Sequence, residues 1–357
     1  MNRSREYRRK LCQPELIALA ALVLYPVLPI PDTYGAQLTT ILIFAILALG
    51  LNVVMGWAGI LHLGIAAFFG IGAYITGILT VPSYPFQTGF TVALVVASVG
   101  TAVAGVLLGV PTLRLRGDYL ALVTLGFGEV VRFSLRNLEE ITGGTRSLNP
   151  IPSPGWFGLD WAVNYRPFYY LCLLILAAVV VLLRNLDNSR LGRAWHAIRE
   201  DELAATCMGI DAARVKLAAV AVGSGLAGLA GCLYATKLTT TADPDAYDFS
   251  RSIIVMCCVI VGGMGSIRGT LVGVLILIGY DNILTPVLDG WIQAANINPH
   301  GSVFLSFSNW RLMIFGVTLI LIVRFRPEGL VPSKRLLDEF RAEYRSEDSI
   351  LSEETIF

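Results

Sequence analysis

RNLDNSRLGRAWHAIREDELAATCMGIDAARVKLAAVAVGSGLAGLAG, residues 184–231, is a charged island that runs straight into an apolar, glycine-rich stretch. Six of the chain's 27 lysines and arginines lie between Arg184 and Lys216, with acids among them, and long hydrophobic runs flank the island on both sides. Inside a bilayer the backbone polar groups must be satisfied within the segment, so apolar runs cross as helices and a polar stretch of this length sits in water. The fold class follows: an all-α, polytopic integral membrane protein.

Within the island, Ala194, Ala197, Ile198, Ala204, Ala205 and Met208 recur at the three-and-four spacing of one helical face, interrupted by Asp201. His196, Arg199, Glu200 and Leu203 fall elsewhere and give a polar side. Gly192 before this run and Gly209 after it are the expected stops, the second suiting a helix C-terminus. The spacing predicts a short amphipathic helix at a membrane surface, one face open either to a partner protein or to lipid headgroups.

Composition agrees with the membrane class. The chain is 55% hydrophobic and 15% charged, with mean hydropathy +0.66, where soluble domains carry roughly 25% charged residues. A net charge of +1 gives no indication of nucleic-acid binding. No cleavage site follows the first apolar run, so Met1 onwards is expected to be retained. The six cysteines, Cys12, Cys172, Cys207, Cys232, Cys257 and Cys258, lie in or beside expected spans or in the island, which argues against a disulfide framework, and no spacing suggests zinc.

About ten spans are expected, within a range of 8–10. They fall at about 15–31, 37–56, 60–80, 89–110, 119–136, 167–183, 214–236, 251–267, 270–288 and 309–323. Residues 1–14 are then a cytoplasmic N-terminal segment, 15–325 the transmembrane body and 326–357 a cytoplasmic tail. Glycines at 64, 70, 72 and 77 leave the third segment either a simple span or a broken, re-entrant helix. The long polar connection at about 137–166 falls outside, and the island, 184–213, inside. With the N-terminus inside, twenty of the 27 basic residues lie on inner segments and seven on outer ones, which supports this orientation and a cytoplasmic C-terminus.

No catalytic constellation is present. His62, His196 and His300 stand without neighbouring carboxylates or cysteines at ligand spacing, and no phosphate-binding GxxxxGK[ST] loop occurs, so the chain is not expected to hydrolyse ATP or to hold a cofactor or metal. Any energy comes from a partner or a gradient, and a gradient-driven carrier would bury more ion-coupling acids than these spans hold. Polar groups within spans are costly and often functional. Asn52, Thr124 and Glu129 are candidates for a solute path, or else interhelical hydrogen bonds and a water-facing helix end. Thr142, Gly143 and Gly144 either meet an external partner or shape an outer gate, or else form an ordinary turn. Gly105 and Gly109, and Gly265, Gly269 and Gly273, repeat every four residues, as close helix packing requires.

Several ordered stretches resemble one family: GLNVVMGWAGILHLGIAAFFGIGAY at 50–74, LRLRGDYLALVTLGFGEVVR at 113–132 and TGGTRSLNPIP at 142–152. GRAWHAIREDELAATCMGIDAARVKLAAVAVGSGLAGLAGCLYA at 192–235, VIVGGMGSIRGTLVGVLI at 259–276 and FRPEGLVP at 325–332 complete the set. Over about residues 40–335 the chain resembles the M-type subunit of bacterial branched-chain amino-acid ABC transporter permeases. The resemblance implies an inner-membrane importer subunit for branched-chain or other neutral amino acids. It also implies a second permease of H type, two cytoplasmic ATPase subunits that bind the ATP, and a periplasmic solute-binding protein. The island is then the coupling segment, with Gly192, Arg193, Ala194, Ile198, Arg199, Glu200, Asp201, Ala204, Ala205 and Gly209 forming the ATPase contact. Trp195-His196 departs from the family's usual small or basic residues. WIQAANINPHGSVFLSFS at 291–308 and the acidic end with Glu347, Asp348, Glu353 and Glu354 match nothing in it. Related permeases carry urea, so that solute, another small one, or a gradient-driven carrier are the alternatives.

Overall fold

The computed structural model describes residues 22–27, 32–112, 118–155, 165–294 and 307–332, and all regular structure among them is helical. The expected first span lies mostly outside these residues. So do the N-terminal segment, much of 291–308 and the acidic end.

The long elements follow the apolar runs. They are α1 (Asp32–Trp57), α2 (Ile65–Thr80), α3 (Phe90–Thr112), α4 (Asp118–Asn137) and α5 (Tyr165–Asp187). The island supplies two short helices, α6 (Arg190–Glu200) and α7 (Glu202–Cys207). Then come α8 (Ala212–Leu238), α9 (Phe249–Gly262), α10 (Ile267–Ile292) and α11 (Arg311–Phe325). Five of them, α1, α3, α5, α8 and α10, are long and apolar enough to cross a membrane, and α2 and Leu312–Phe325 are shorter apolar helices. This is a multi-pass membrane protein.

The third expected span is broken at the first of its glycines, Gly64, and not at the later three. Residues 58–64 are non-helical and α2 starts only at Ile65. Gly70, Gly72 and Gly77 sit inside one continuous helix, where they let Tyr247, the Gly228 backbone and Thr241 approach. The 58–64 stretch forms a strap, folded back on the end of α1 by Ile60 N–H to the Val54 carbonyl at 3.0 Å.

Helix α8 is the hub of the packing. Between helices in lipid there is no hydrophobic drive, so close backbone approach through small residues has to supply the attraction. Gly223 meets Gly50 of α1, with a Cβ on Gly50 only 2.8 Å from the Gly223 carbonyl. Gly228 meets Gly72 of α2 and Thr101 of α3, and Gly231 meets the Phe69 carbonyl of α2. Gly105 faces Ser224, and Gly109 lies against Leu217, where a Cβ would stand 2.8 Å from its methyl. Gly269 and Gly273 bring α10 against the backbone of α9 at Gly262 and Cys258. Gly265 lies in the α9–α10 turn at φ +78°, a conformation that favours glycine, and its backbone packs against Gly56 at the end of α1. The outward faces of α3 and α11 stay apolar and exposed, as a lipid-facing surface requires.

Candidate functional site

Ser189 starts α6: its Oγ accepts the Gly192 N–H at 3.2 Å. Gly192 is therefore inside the helix and not a stop before it, and any side chain there would strike the Leu186 and Asp187 carbonyls. The single helix expected across the island is two. Asp201 adopts an extended backbone, ends α6 and caps α7 by accepting the Leu203 and Ala204 N–H groups at 2.8 and 3.0 Å. A short carboxylate that satisfies free amides starts a new helix better than it continues an old one. Gly209, at φ +86°, follows α7 as the expected stop.

The break redistributes the apolar face. Gly192, Trp195 and Ile198 of α6 and Ala205 of α7 turn inward. Ala194 and Ala197 are half-buried, while Ala204, Leu203 (67% exposed) and Met208 (84% exposed) face outward. The expected stripe does not exist as one surface. Arg193 donates to the Asn188 carbonyl at 3.0 Å, His196 contacts Asp187 at 2.9 Å, and Glu200 is exposed.

Inward, α6 grips the body. Arg199 Nη1 donates to the Gly56 carbonyl at 2.5 Å, placing a cation at the C-terminal end of α1, where the helix dipole favours one. The Trp195 indole stacks on Trp57 with centroids 6.0 Å apart and 24° between planes, and its N–H reaches the Val215 carbonyl at 2.7 Å. Trp57 in turn donates to the Gly265 carbonyl at 3.1 Å, and the Gly265 N–H donates to Asn52 Oδ1 at 2.8 Å. Asn52 and Trp57 bound a π-helical turn, Asn52–Trp57, of the kind found often at functional sites. Residues 330–331 close the same end, with Leu330 and Val331 N–H groups on the Val261 and Gly262 carbonyls. The island, α1, the α9–α10 turn and the FRPEGLVP stretch thus form one knot.

From this knot the strap leads to a cavity. Gly59 lies on the stem of Arg199, and at the far end the Leu63 N–H donates to Thr124 Oγ1 of α4 at 3.1 Å. Between them, Ile60 and His62 form one wall of a cavity of about 310 Å³ bounded by α2, α3, α4 and α8. Its surface is mainly apolar, including Phe68, Leu108, Leu120, Val123 and Phe127. Thr124 also donates to the Ala121 carbonyl at 2.9 Å, and Lys216 pairs with Glu202 of α7 at 2.7 Å. His62 is buried, and its Nδ1 has no hydrogen-bond partner.

The other path candidates lie elsewhere. Glu129 pairs with Arg132 at 2.7 Å, and Arg132 reaches Asp245 at 2.6 Å, at the end opposite the island. There Thr142 donates to the Leu135 and Leu138 carbonyls at 2.6 and 2.8 Å, followed by Gly143 and Gly144 at φ +72° and +57°. Asn52 belongs to the knot, Thr124 to the cavity, and Glu129 with Thr142–Gly144 to the opposite end. Trp57, Trp195 and His62 join these groups; in the sequence only the Trp195-His196 pair, foreign to the family pattern, and the lone His62 point toward them, and Trp57 carries no local signal.

The family profile described as "Branched-chain amino acid transport system / permease component" matches residues 34–323. The chain is 34% identical over 345 residues to the high-affinity branched-chain amino acid transport system permease protein LivM of Escherichia coli (strain K12), covering 90% of this chain and 76% of LivM. It is 27% identical to the probable branched-chain amino acid transport permease protein LivM of Methanocaldococcus jannaschii, covering 83% and 92%. It is also 26% identical to the high-affinity permease protein LivH of Escherichia coli (strain K12), covering 66% and 79%. No solved structure matches the chain.

Proposed function

Because the chain belongs to the family of branched-chain amino acid transport system permease components, we propose that it is the membrane-spanning subunit of an ATP-driven importer for branched-chain amino acids. It works in the inner membrane beside a second permease of H type. Two cytoplasmic ATPase subunits bind and hydrolyse the ATP, and a periplasmic binding protein delivers the solute. The chain itself contributes passage and coupling, not hydrolysis.

The observation that carries the reading is the island's two-sided build. Its outward side, α7, offers Leu203, Ala204 and Met208 to a partner, while its inward side holds α1 through Arg199 and Trp195. Such an element converts movement of a docked ATPase into movement of membrane helices. Glu200 and Asp201, just before α7, are exposed as well.

The test is ATP hydrolysis in proteoliposomes that contain the chain with its ATPases, second permease and binding protein. Leucine, isoleucine and valine are expected to stimulate it, while urea and glycine are not. Stimulation by urea alone would keep the importer and replace its solute. Uptake by this chain without any ATPase would overturn the proposal.

A further inference from the structure

We propose that the cavity beside the strap is a solute-holding site that takes the branched aliphatic side chain of the transported amino acid, with His62 contacting its zwitterionic head. This rests on the importer reading above and names a place for the solute inside the chain.

The chemistry matches on three counts. A volume of about 310 Å³ lies at the lower end of small-ligand pockets, roughly 300–1,000 Å³, and suits a solute the size of leucine. The walls are aliphatic and aromatic, as a branched side chain requires, and Phe68 and Phe127 stand 5.6 Å apart by ring centroids. Of the polar groups on the wall, Thr124 is committed to Ala121 and Leu63, and Lys216 to Glu202. The His62 ring lines the cavity, and its Nδ1 lies covered just beneath that surface without a partner, so a turn of the ring brings a free nitrogen to a solute. Buried ring nitrogens find partners in folded proteins as a rule, and an imidazole nitrogen either accepts from an ammonium group or donates to a carboxylate. An amino-acid head offers both.

The cavity is also placed to respond to the ATPases. Its His62 wall is the strap, which passes against the Arg199 stem at Gly59 and is hydrogen-bonded at Leu63 to Thr124. Its Lys216 edge is tied to Glu202 of α7. Movement of the island therefore moves two sides of the site at once.

The experiment places a cysteine on the wall, Val123→Cys or independently Leu108→Cys, in the complete transporter in proteoliposomes. Modification by a methanethiosulfonate reagent at that position is followed by peptide mass spectrometry. Leucine at about ten times its half-saturating concentration is expected to slow modification about tenfold, as occupancy predicts, while glycine has no such effect. His62→Leu is expected to raise the half-saturating leucine concentration about tenfold, as loss of one hydrogen bond to a charged group does, with His62→Gln restoring part of it. If leucine stimulates hydrolysis but leaves both cysteines equally reactive, the importer stands and this site is refuted. If leucine drives neither hydrolysis nor uptake, both readings fall together. Protection that follows lipid acyl-chain length and ignores leucine assigns the cavity to lipid and likewise overturns the site.

Discussion

Arg199 illustrates what a single residue's position means here. By spacing it belongs with the charges offered to a partner. In the fold its guanidinium reaches back 143 residues to the Gly56 carbonyl. Nothing local in the sequence announces that bond, because a carbonyl acceptor has no side chain to read. Arg199→Ala is expected to lower leucine uptake about tenfold, the scale of a lost charge-assisted hydrogen bond, while both ATPase subunits still co-purify. Arg199→Lys should fall between, since lysine brings a point charge without the planar fork. Loss of ATPase binding in Arg199→Ala would show instead that the residue faces the partner.

At the scale of elements, the sequence was legible where a pattern repeats along one helix. Gly105 and Gly109, and Gly269 and Gly273, repeat every four residues and do meet facing helices, and α1, α2 and α3 close on the small residues of α8 from Gly223 to Gly231. Gly228→Leu is expected to destabilise the fold by about 1–3 kcal/mol or more through overpacking, visible as a lower melting temperature of the purified protein. The island was harder. Its alanines keep helical spacing straight through Asp201, which hides the break, although aspartate followed by glutamate is a helix-start signal in its own right. Asp201→Ala should cost about 1 kcal/mol of capping and speed amide exchange over residues 202–207, leaving α6 unchanged. Replacing Leu203 and Met208 together by aspartate should cut ATPase co-purification about tenfold or more, as loss of an apolar anchor does, with the melting temperature unaltered. An unchanged yield of complex would remove α7 from the docking surface.

For the whole molecule, nearly every described helix lies where an apolar run lies, because lipid leaves the backbone no other way to satisfy itself. The strap escaped that logic. Ala58-Gly59-Ile60-Leu61-His62-Leu63-Gly64 is nearly as apolar as its neighbours, and its non-helical course is set by Gly59 at φ +68°, the turn from Ile60 to Val54 and the distant bond from Leu63 to Thr124. The asymmetry of basic residues predicts which end faces the cytoplasm. Cys207, exposed on α7, provides the check: a membrane-impermeant maleimide should modify it in inside-out vesicles and not in intact cells. The opposite result would invert the molecule.

The strap has one more consequence. It is a length of chain without helical stiffness that starts at the end of α1, where Arg199 holds the Gly56 carbonyl, and ends at the bond from Leu63 to Thr124. A tether of that kind carries tension and buckles under compression. If the island moves away from α4, the strap is the segment that carries that pull to the cavity wall. Slack should defeat such a mechanism even with every contact intact. A Gly-Gly insertion after Leu61 is expected to leave ATPase assembly and basal hydrolysis in place and to abolish solute movement.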